Sequence, residues 1–445
     1  MLATLGLCLA MAQTTSEPYS EPLRPQFHFT AQKGWLNDPN GLVYFKGEYH
    51  LFFQHNPFGT EWGNMTWGHA VSKDLVHWTQ LPEAIEPDAL GTIFSGSAAV
   101  DQHGTAGFGN GALVCMYTAA GGTNDASKGK PFTQCLAYST DGRTFHKFEG
   151  NPVLPHIEGE NRDPKLIWYS PTHTWILALY LDGNRYALFS SIDLKHWTKT
   201  CDVDMSGTSE CPDFFELPID GGKKWVFWGA NGNYRVGRFD GKVFTPETNP
   251  IRSNFGNTSY AAQTYFNDPK GRRVQIAWLR DSNFPDTAWN QQMGFPAELK
   301  LRATSQGPRL SIYPVEEIKS LHGPKLKGKD GWYASASGLL DIDARFEVPE
   351  SGVLALTVNG RTISYDVASQ TLQALGKRAS VPPVLGRLDL RILADRASIE
   401  IYAQSGLVYM PLFTLPETSE RGFRVQTTRG WKAEKMDVYV VRSAW

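Results

Sequence analysis

The sequence has little cysteine: five residues in 445, at positions 8, 115, 135, 201 and 211. No two stand as a C-x-x-C pair and the 11 histidines are scattered, which argues against a structural zinc site and gives no metal-ligand set. If Cys8 is lost with a leader, four thiols remain, and sequence alone does not choose among their three full pairings. A chain of this length needs no disulfide framework. Charge of one sign is also lacking: 43 basic residues face 45 acidic ones, a net of -2, which argues against nucleic acid or a membrane surface as partner. No apolar run is long enough to cross a bilayer. The run at 1–13 ends in Ala10-Met11-Ala12 and, despite lacking a basic start, reads as a secretory signal, with a polar leader to residue 25. The expected location is secreted or periplasmic. Phosphate-cradling loops, a Ser-His-Asp signature and sustained helical periodicity are absent too; G-A-N-G-N at 229–233 reads as a turn. No cofactor is implied.

Aromatic residues, by contrast, are plentiful: 14 Trp, 17 Tyr and 24 Phe, suited both to β-sheet cores and to the faces of sugar rings. From residue 26 to 313 short β-type runs alternate with Gly, Pro, Asn and Asp turns, among them Leu42–Phe45, Leu113–Thr118, Trp175–Leu181 and Val274–Trp278. A repeat runs through them. S-K-D-L-V-H-W (72–78), S-T-D-G-R-T-F (139–145) and S-I-D-L-K-H-W (191–197) share Ser, Asp and a closing aromatic, and F-D-G-K-V-F (239–244) keeps the last two. One such motif per four short strands predicts a five-bladed β-propeller over 26–313. After a helical-looking linker at 314–324 the texture changes. L-L-D-I-D-A-R-F-E-V (339–348) and L-D-L-R-I-L-A-D-R-A-S-I-E-I-Y (388–402) alternate with period two, predicting antiparallel strands with one wet face, a β-sandwich over 325–445. The fold class is all-β.

Three acidic segments lie inside the propeller region. W-L-N-D-P-N-G (35–41) overlaps two turn signals around Asp38 and predicts a sharp bend at a loop or strand end. N-R-D-P-K (161–165) holds Asp163 between Arg162 and Pro164, and S-E-C-P-D-F-F-E-L (209–217) supplies Glu210, Asp213 and Glu216. Each alone is as well explained by a solvated turn.

In this order, and with F-F-Q-H-N-P (52–57), E-W-G-N-M-T-W-G-H-A-V-S-K-D-L-V-H-W (61–78), G-T-I-F-S-G-S-A (91–98), S-Y-A-A-Q-T-Y (259–265) and R-A-S-I-E-I-Y (396–402), the segments resemble glycoside hydrolase family 32, the β-fructosidases. The resemblance spans residue 26 to the C-terminus. It implies a retaining hydrolase releasing terminal fructose from β-fructans (levan, inulin) or sucrose through a fructosyl-enzyme intermediate. Asp38 would be the nucleophile, Glu210 the acid/base and Asp163 the transition-state stabiliser. Asn37, Gln54, Trp62, Phe94, Ser95, Arg162, Tyr260 and Trp278 would line the sugar pocket, and no metal is implied. Glu210 is expected to be held protonated by a neighbouring like charge, Asp213 or Asp38.

Two departures stand out. Leu36 replaces a common Met, a neutral change. Ala297 replaces a common Arg, expected to loosen the pocket rim or shift substrate preference. A fructosyltransferase, a catalytically dead carbohydrate-binding propeller and an inverting five-bladed glycosidase are the competing readings. Linkage preference and oligomeric state stay open.

Overall fold

The computed structural model describes residues 18–416, 420–428 and 430–445. The apolar run at 1–13 lies outside them. Among the described residues no helix is long and apolar enough to cross a membrane.

Five sheets follow one another along the chain from residue 34 to 314, four antiparallel strands each, the first extended by a short parallel strand at Trp289–Asn290. Their first strands are Gly34–Phe45, Thr92–Asp101, Arg162–Tyr169, Asp213–Ile219 and Tyr260–Thr264. Each of these touches the next in sequence, and the last touches the first, so the five sheets are the blades of a closed propeller with these strands around its axis. Closure is hydrogen-bonded: Phe266 after the fifth inner strand donates to the Leu42 carbonyl and accepts from the Tyr44 N–H.

The Ser-x-Asp repeat is the turn between the third and fourth strands of blades one to four. Asp74, Asp141, Asp193 and Asp240 each accept the N–H groups two and three residues on, at 2.7–3.0 Å. In the first three, the Ser hydroxyl closes the turn onto the same carboxylate. An Asx turn satisfies backbone donors that a tight loop strands, which is why the motif recurs. The fifth blade departs from it, with the Thr304–Gly307 hairpin.

Blade five ends at Pro314, a 3-10 helix covers Glu316–Leu321, and the first strand of the second unit is His322–Lys325. This unit stacks two six-stranded sheets face to face over a core that includes Ile342, Leu356, Ile363, Leu390 and Ile401. The alternating run 388–402 is two strands, Arg387–Ala394 and Ser398–Ala403, broken by a turn at Asp395. The outer face of the second strand is not wet. Tyr402 and Tyr409 join the same apolar cluster as Phe27, Leu36 and Phe295 of the propeller.

A buried charge cluster ties the units together across that face. The His28 ring nitrogens lie 2.9 Å from Asp395 Oδ2 and 2.9 Å from Glu400 Oε2. Asp395 also accepts the backbone N–H groups of Gln26, Phe27 and His28 at 2.8–3.2 Å. Pro18–Pro25, expected as a polar leader, packs on the body: Arg24 is fully buried over the Trp289 ring, and Trp445 Nε1 donates to the Pro25 carbonyl at 2.8 Å.

A second buried pair lies in the first blade, where His50 Nδ1 and His69 Nε2 stand 2.9 Å apart with stacked rings. Burial pushes His50 down to about 4, with Arg143 adding to the effect, and pushes His69 well down. Both rings therefore fold neutral. The unfolded chain takes up these protons first, so the stability they share is intact above about 6.5 and erodes as the pH falls toward 4. In a His69→Gln variant, melting temperature should fall less steeply with acid over that range than in the wild type; an unchanged slope would contradict the neutral pair.

Candidate active site

The heptapeptide does not form a turn. It lies within the twelve-residue strand Gly34–Phe45, whose register slips between Leu36 and Pro39. A bulge admits a proline in a strand and re-aims the neighbouring side chain, here Asp38. Asp163 is the second residue of the third inner strand, and Glu210 lies three residues before the fourth. Both have left-handed backbones, φ +63° and +58°, as does Cys211 at +38°. Each such non-glycine residue costs roughly 1–3 kcal/mol, held only where surrounding contacts dictate it.

Those contacts centre on Cys211. Its N–H donates to Asp163 Oδ2 at 2.9 Å, and its Sγ lies 3.4 Å from that oxygen and 3.5 Å from Asp38 Oδ2. Ser95 Oγ donates to Asp38 Oδ2 at 2.6 Å, and the Asp163 N–H donates to Thr118 Oγ1 at 3.0 Å. Arg162 binds Glu210 and lies 3.9 Å from Asp163, while the Tyr260 hydroxyl donates to the other Glu210 oxygen.

Burial raises Asp38, with Glu210 adding repulsion, against the hydrogen bonds from Ser95 and Asn37. Burial pushes Asp163 up to about 7, against the pull of Arg162 and helped by Asp38 and Glu210. Glu210 goes the other way. Burial raises it, but the Tyr260 hydrogen bond and Arg162 outweigh that and hold it below the usual carboxylate range. The expected raised Glu210 is thus corrected: the two aspartates are pushed up and Glu210 is held down. Nor is Asp213 its neighbour. It is buried, paired to Lys165 at 3.0 Å, and Glu216 pairs with Lys223.

The eleven residues singled out in the sequence, Asn37, Asp38, Gln54, Trp62, Phe94, Ser95, Arg162, Asp163, Glu210, Tyr260 and Trp278, line one cavity of about 600 Å3 at the end of the axis. Two aromatic walls face it. Trp62, Phe94 and Phe132 meet edge to face on one side, and Trp35, Trp278 and Tyr260 on the other. Gln54 is buried with Nε2 unpartnered, a donor ready for a hydroxyl. Sequence reasoning missed Trp35, Thr123, Phe132, Glu160, Cys211, Arg280 and Asp281 as lining residues. Trp35 and Cys211 stand inside the quoted motifs and could have been found; Thr123 and Phe132 come from a loop with no recognisable pattern. Ala297 is not on this rim. It is 1% exposed inside the apolar core, in the third strand of blade five, where no pocket group reaches it. All four described cysteines are free.

Carboxylates grouped on the floor of an aromatic-walled axial pocket, two pushed up by burial and one held low, define a glycoside hydrolase. The chain belongs to glycoside hydrolase family 32: the family's N-terminal domain matches residues 28–314. Over its whole length it is 35% identical to a levanase from Bacillus subtilis (strain 168), covering 74% of that protein. It is 30% identical to the extracellular exo-inulinase inuE of Aspergillus ficuum, covering 100% of this chain and 99% of that protein. The crystal structure of exo-inulinase from Aspergillus awamori superposes with a TM-score of 0.85 at 29% identity, covering 96% of this chain and 100% of that one.

Proposed function

We propose that this protein is a retaining β-fructosidase acting outside the cytoplasm, removing terminal fructose from β-fructans and sucrose by double displacement. The observation that carries the reading is the convergence of Asp38 and Asp163 on the Cys211 thiol, with Arg162 bridging on to Glu210. Asp38 attacks the anomeric carbon while Glu210 protonates the leaving oxygen. Glu210 then activates the water that releases the sugar. Asp163 accepts fructose hydroxyl protons in hydrogen bonds that tighten as the ring flattens. Ser95 orients Asp38, and Gln54 and Asn37 hold hydroxyls between the aromatic walls.

Burial of Asp38 and Asp163 favours a carboxyl proton in the pocket that Glu210 can receive. A sugar that engages Arg162 and Tyr260 through its own hydroxyls weakens their hold on Glu210, so its pKa rises and the proton is redistributed to it. Because Asp163 is held at about 7, its carboxyl proton leaves near that value. The kcat/KM profile should therefore carry an alkaline limb near pH 7, falling about tenfold per pH unit beyond it. A flat profile to pH 9 would contradict this.

Hydrolysis of sucrose, inulin and levan side by side tests the activity, with fructose as the expected product of each. Growth of oligosaccharides in its place would favour the fructosyltransferase. Proton NMR of the first-formed fructose should show retention of the β-anomer, and inversion would rule out a fructosyl-enzyme.

A further inference from the structure

Below the pocket floor the axis holds an ion pair that the reaction does not touch. Lys165 lies two residues beyond Asp163 on the same strand, past the register shift that follows Arg162, and both side chains are buried. Asp213 opens the next inner strand, three residues after Glu210. Lys165 Nζ stands 3.0 Å from Asp213 Oδ2 and donates to the Thr264 carbonyl at 2.7 Å. Asp213 in turn accepts the N–H groups of Thr264 at 2.6 Å and Phe214 at 2.8 Å. Three inner strands, from blades three, four and five, are thus fastened at one point. Lys165 and Asp213 are 5% and 0% exposed.

The placement matters because packing around the axis is uneven. The inner strands of blades one, two and three lie closely side by side, whereas that of blade four touches both its neighbours sparsely. Blade four carries Glu210, whose left-handed backbone needs outside constraint. The Tyr186 hydroxyl and the Ala230 N–H hold the Glu210 carbonyl at 3.0 and 3.1 Å, and two links tie its segment across to the neighbouring inner strands: the Cys211 N–H to Asp163 above, and Asp213 to Lys165 and Thr264 below. A buried ion pair gains little stability over an apolar pair of similar size, so stability alone does not account for it.

We propose that Lys165 and Asp213 are positioning residues that set the separation of Asp163 and Glu210 across the gap between blades three and four. The proposal rests on the reading of those two carboxylates given above. The test is the neutral pair Lys165→Met with Asp213→Asn, in which the Asn carbonyl still accepts a backbone N–H. A displacement of about 1 Å in a catalytic group costs roughly 100-fold. The double variant should therefore keep a cooperative melt and a KM within about threefold of wild type, with kcat lower by about 100-fold. A purely structural pair would not split kcat from KM in this way, and a folded double variant with wild-type kcat overturns the proposal. Should it not fold, Lys165→Arg decides, since it keeps the charge but not the point contact: kcat should fall by more than about tenfold at unchanged KM. Wild-type kcat in that variant, or failure of both to fold, makes the pair structural and overturns positioning. Wild type and Asp38→Ala are assayed in parallel. Absence of fructose from the wild type would sink the functional reading, whereas an active wild type with an equally active neutral pair sinks only this one.

Discussion

Asp38→Ala is expected to end fructose release, with kcat lower by about five orders of magnitude, as when a nucleophile is deleted from an enzyme that works through a covalent intermediate. Its fold should not suffer. Burial raises Asp38 above its unfolded value, so the ionised group opposes folding at every pH above that value. Removing it should leave the melting temperature unchanged or higher, a stability–activity trade-off of the kind common at catalytic sites. Glu210→Gln should cost less, about 10²- to 10⁴-fold on sucrose, and least on a fructosyl fluoride, whose leaving group needs no proton. The two measurements together distinguish nucleophile from acid/base. An Asp38→Ala variant within tenfold of wild-type activity would remove the nucleophile assignment.

Asp395→Ala should destabilise the protein by about 3–5 kcal/mol, because it leaves His28 Nδ1 and three backbone N–H groups buried without their acceptor and only Glu400 to balance the imidazolium. Burial pushes His28 down, but Asp395 and Glu400 outweigh it and bring it up to about 9. Its folded value lies above the unfolded one near 6.5. The contribution is therefore complete below about 6.5 and lost as the pH rises through 9. Asp395 has the opposite sign: burial raises it, yet the bonds from His28 and the backbone hold it below 3.8, so its share is present above that value and lost in acid. Thermal melts across pH should show the wild type losing stability at both ends, and Asp395→Ala losing least on top of its lower start. A melting temperature within about 1 °C of wild type, which roughly 1 kcal/mol would produce in a chain this large, would mean that the two units are held by apolar contact alone.

Local chemistry made much of this legible in advance. The Ser-x-Asp turns satisfy their own backbone donors, so four short segments marked four blades, and their spacing over the length of the region gave the fifth. The order of Asp38, Asp163 and Glu210 named the pocket because each sits at or near the start of an inner strand, and a propeller brings those strand ends to one rim. Residues with no motif of their own, such as Phe132, arrive at the pocket only because their loop closes over the same rim.

Other features depended on what lay across from them. W-L-N-D-P-N-G carries turn chemistry, but pairing with Glu48–Asn56 holds it extended and converts the irregularity into a bulge. Ser398, Glu400 and Tyr402 alternate as a solvent-facing set, yet the propeller covers that face and Glu400 is fully buried against His28. Asp213 reads as a charge beside Glu210, but strand direction turns it down the axis to Lys165. Period, turn chemistry and motif order act within a few residues, so the sequence by itself determined the all-β class and the repeat, and pointed to the three acids that line the pocket. Protonation depends on burial and on charges brought from distant strands. Only the tertiary structure could decide that Glu210 is held low, that Asp163 is pushed up, and that Ala297 has no part in the pocket.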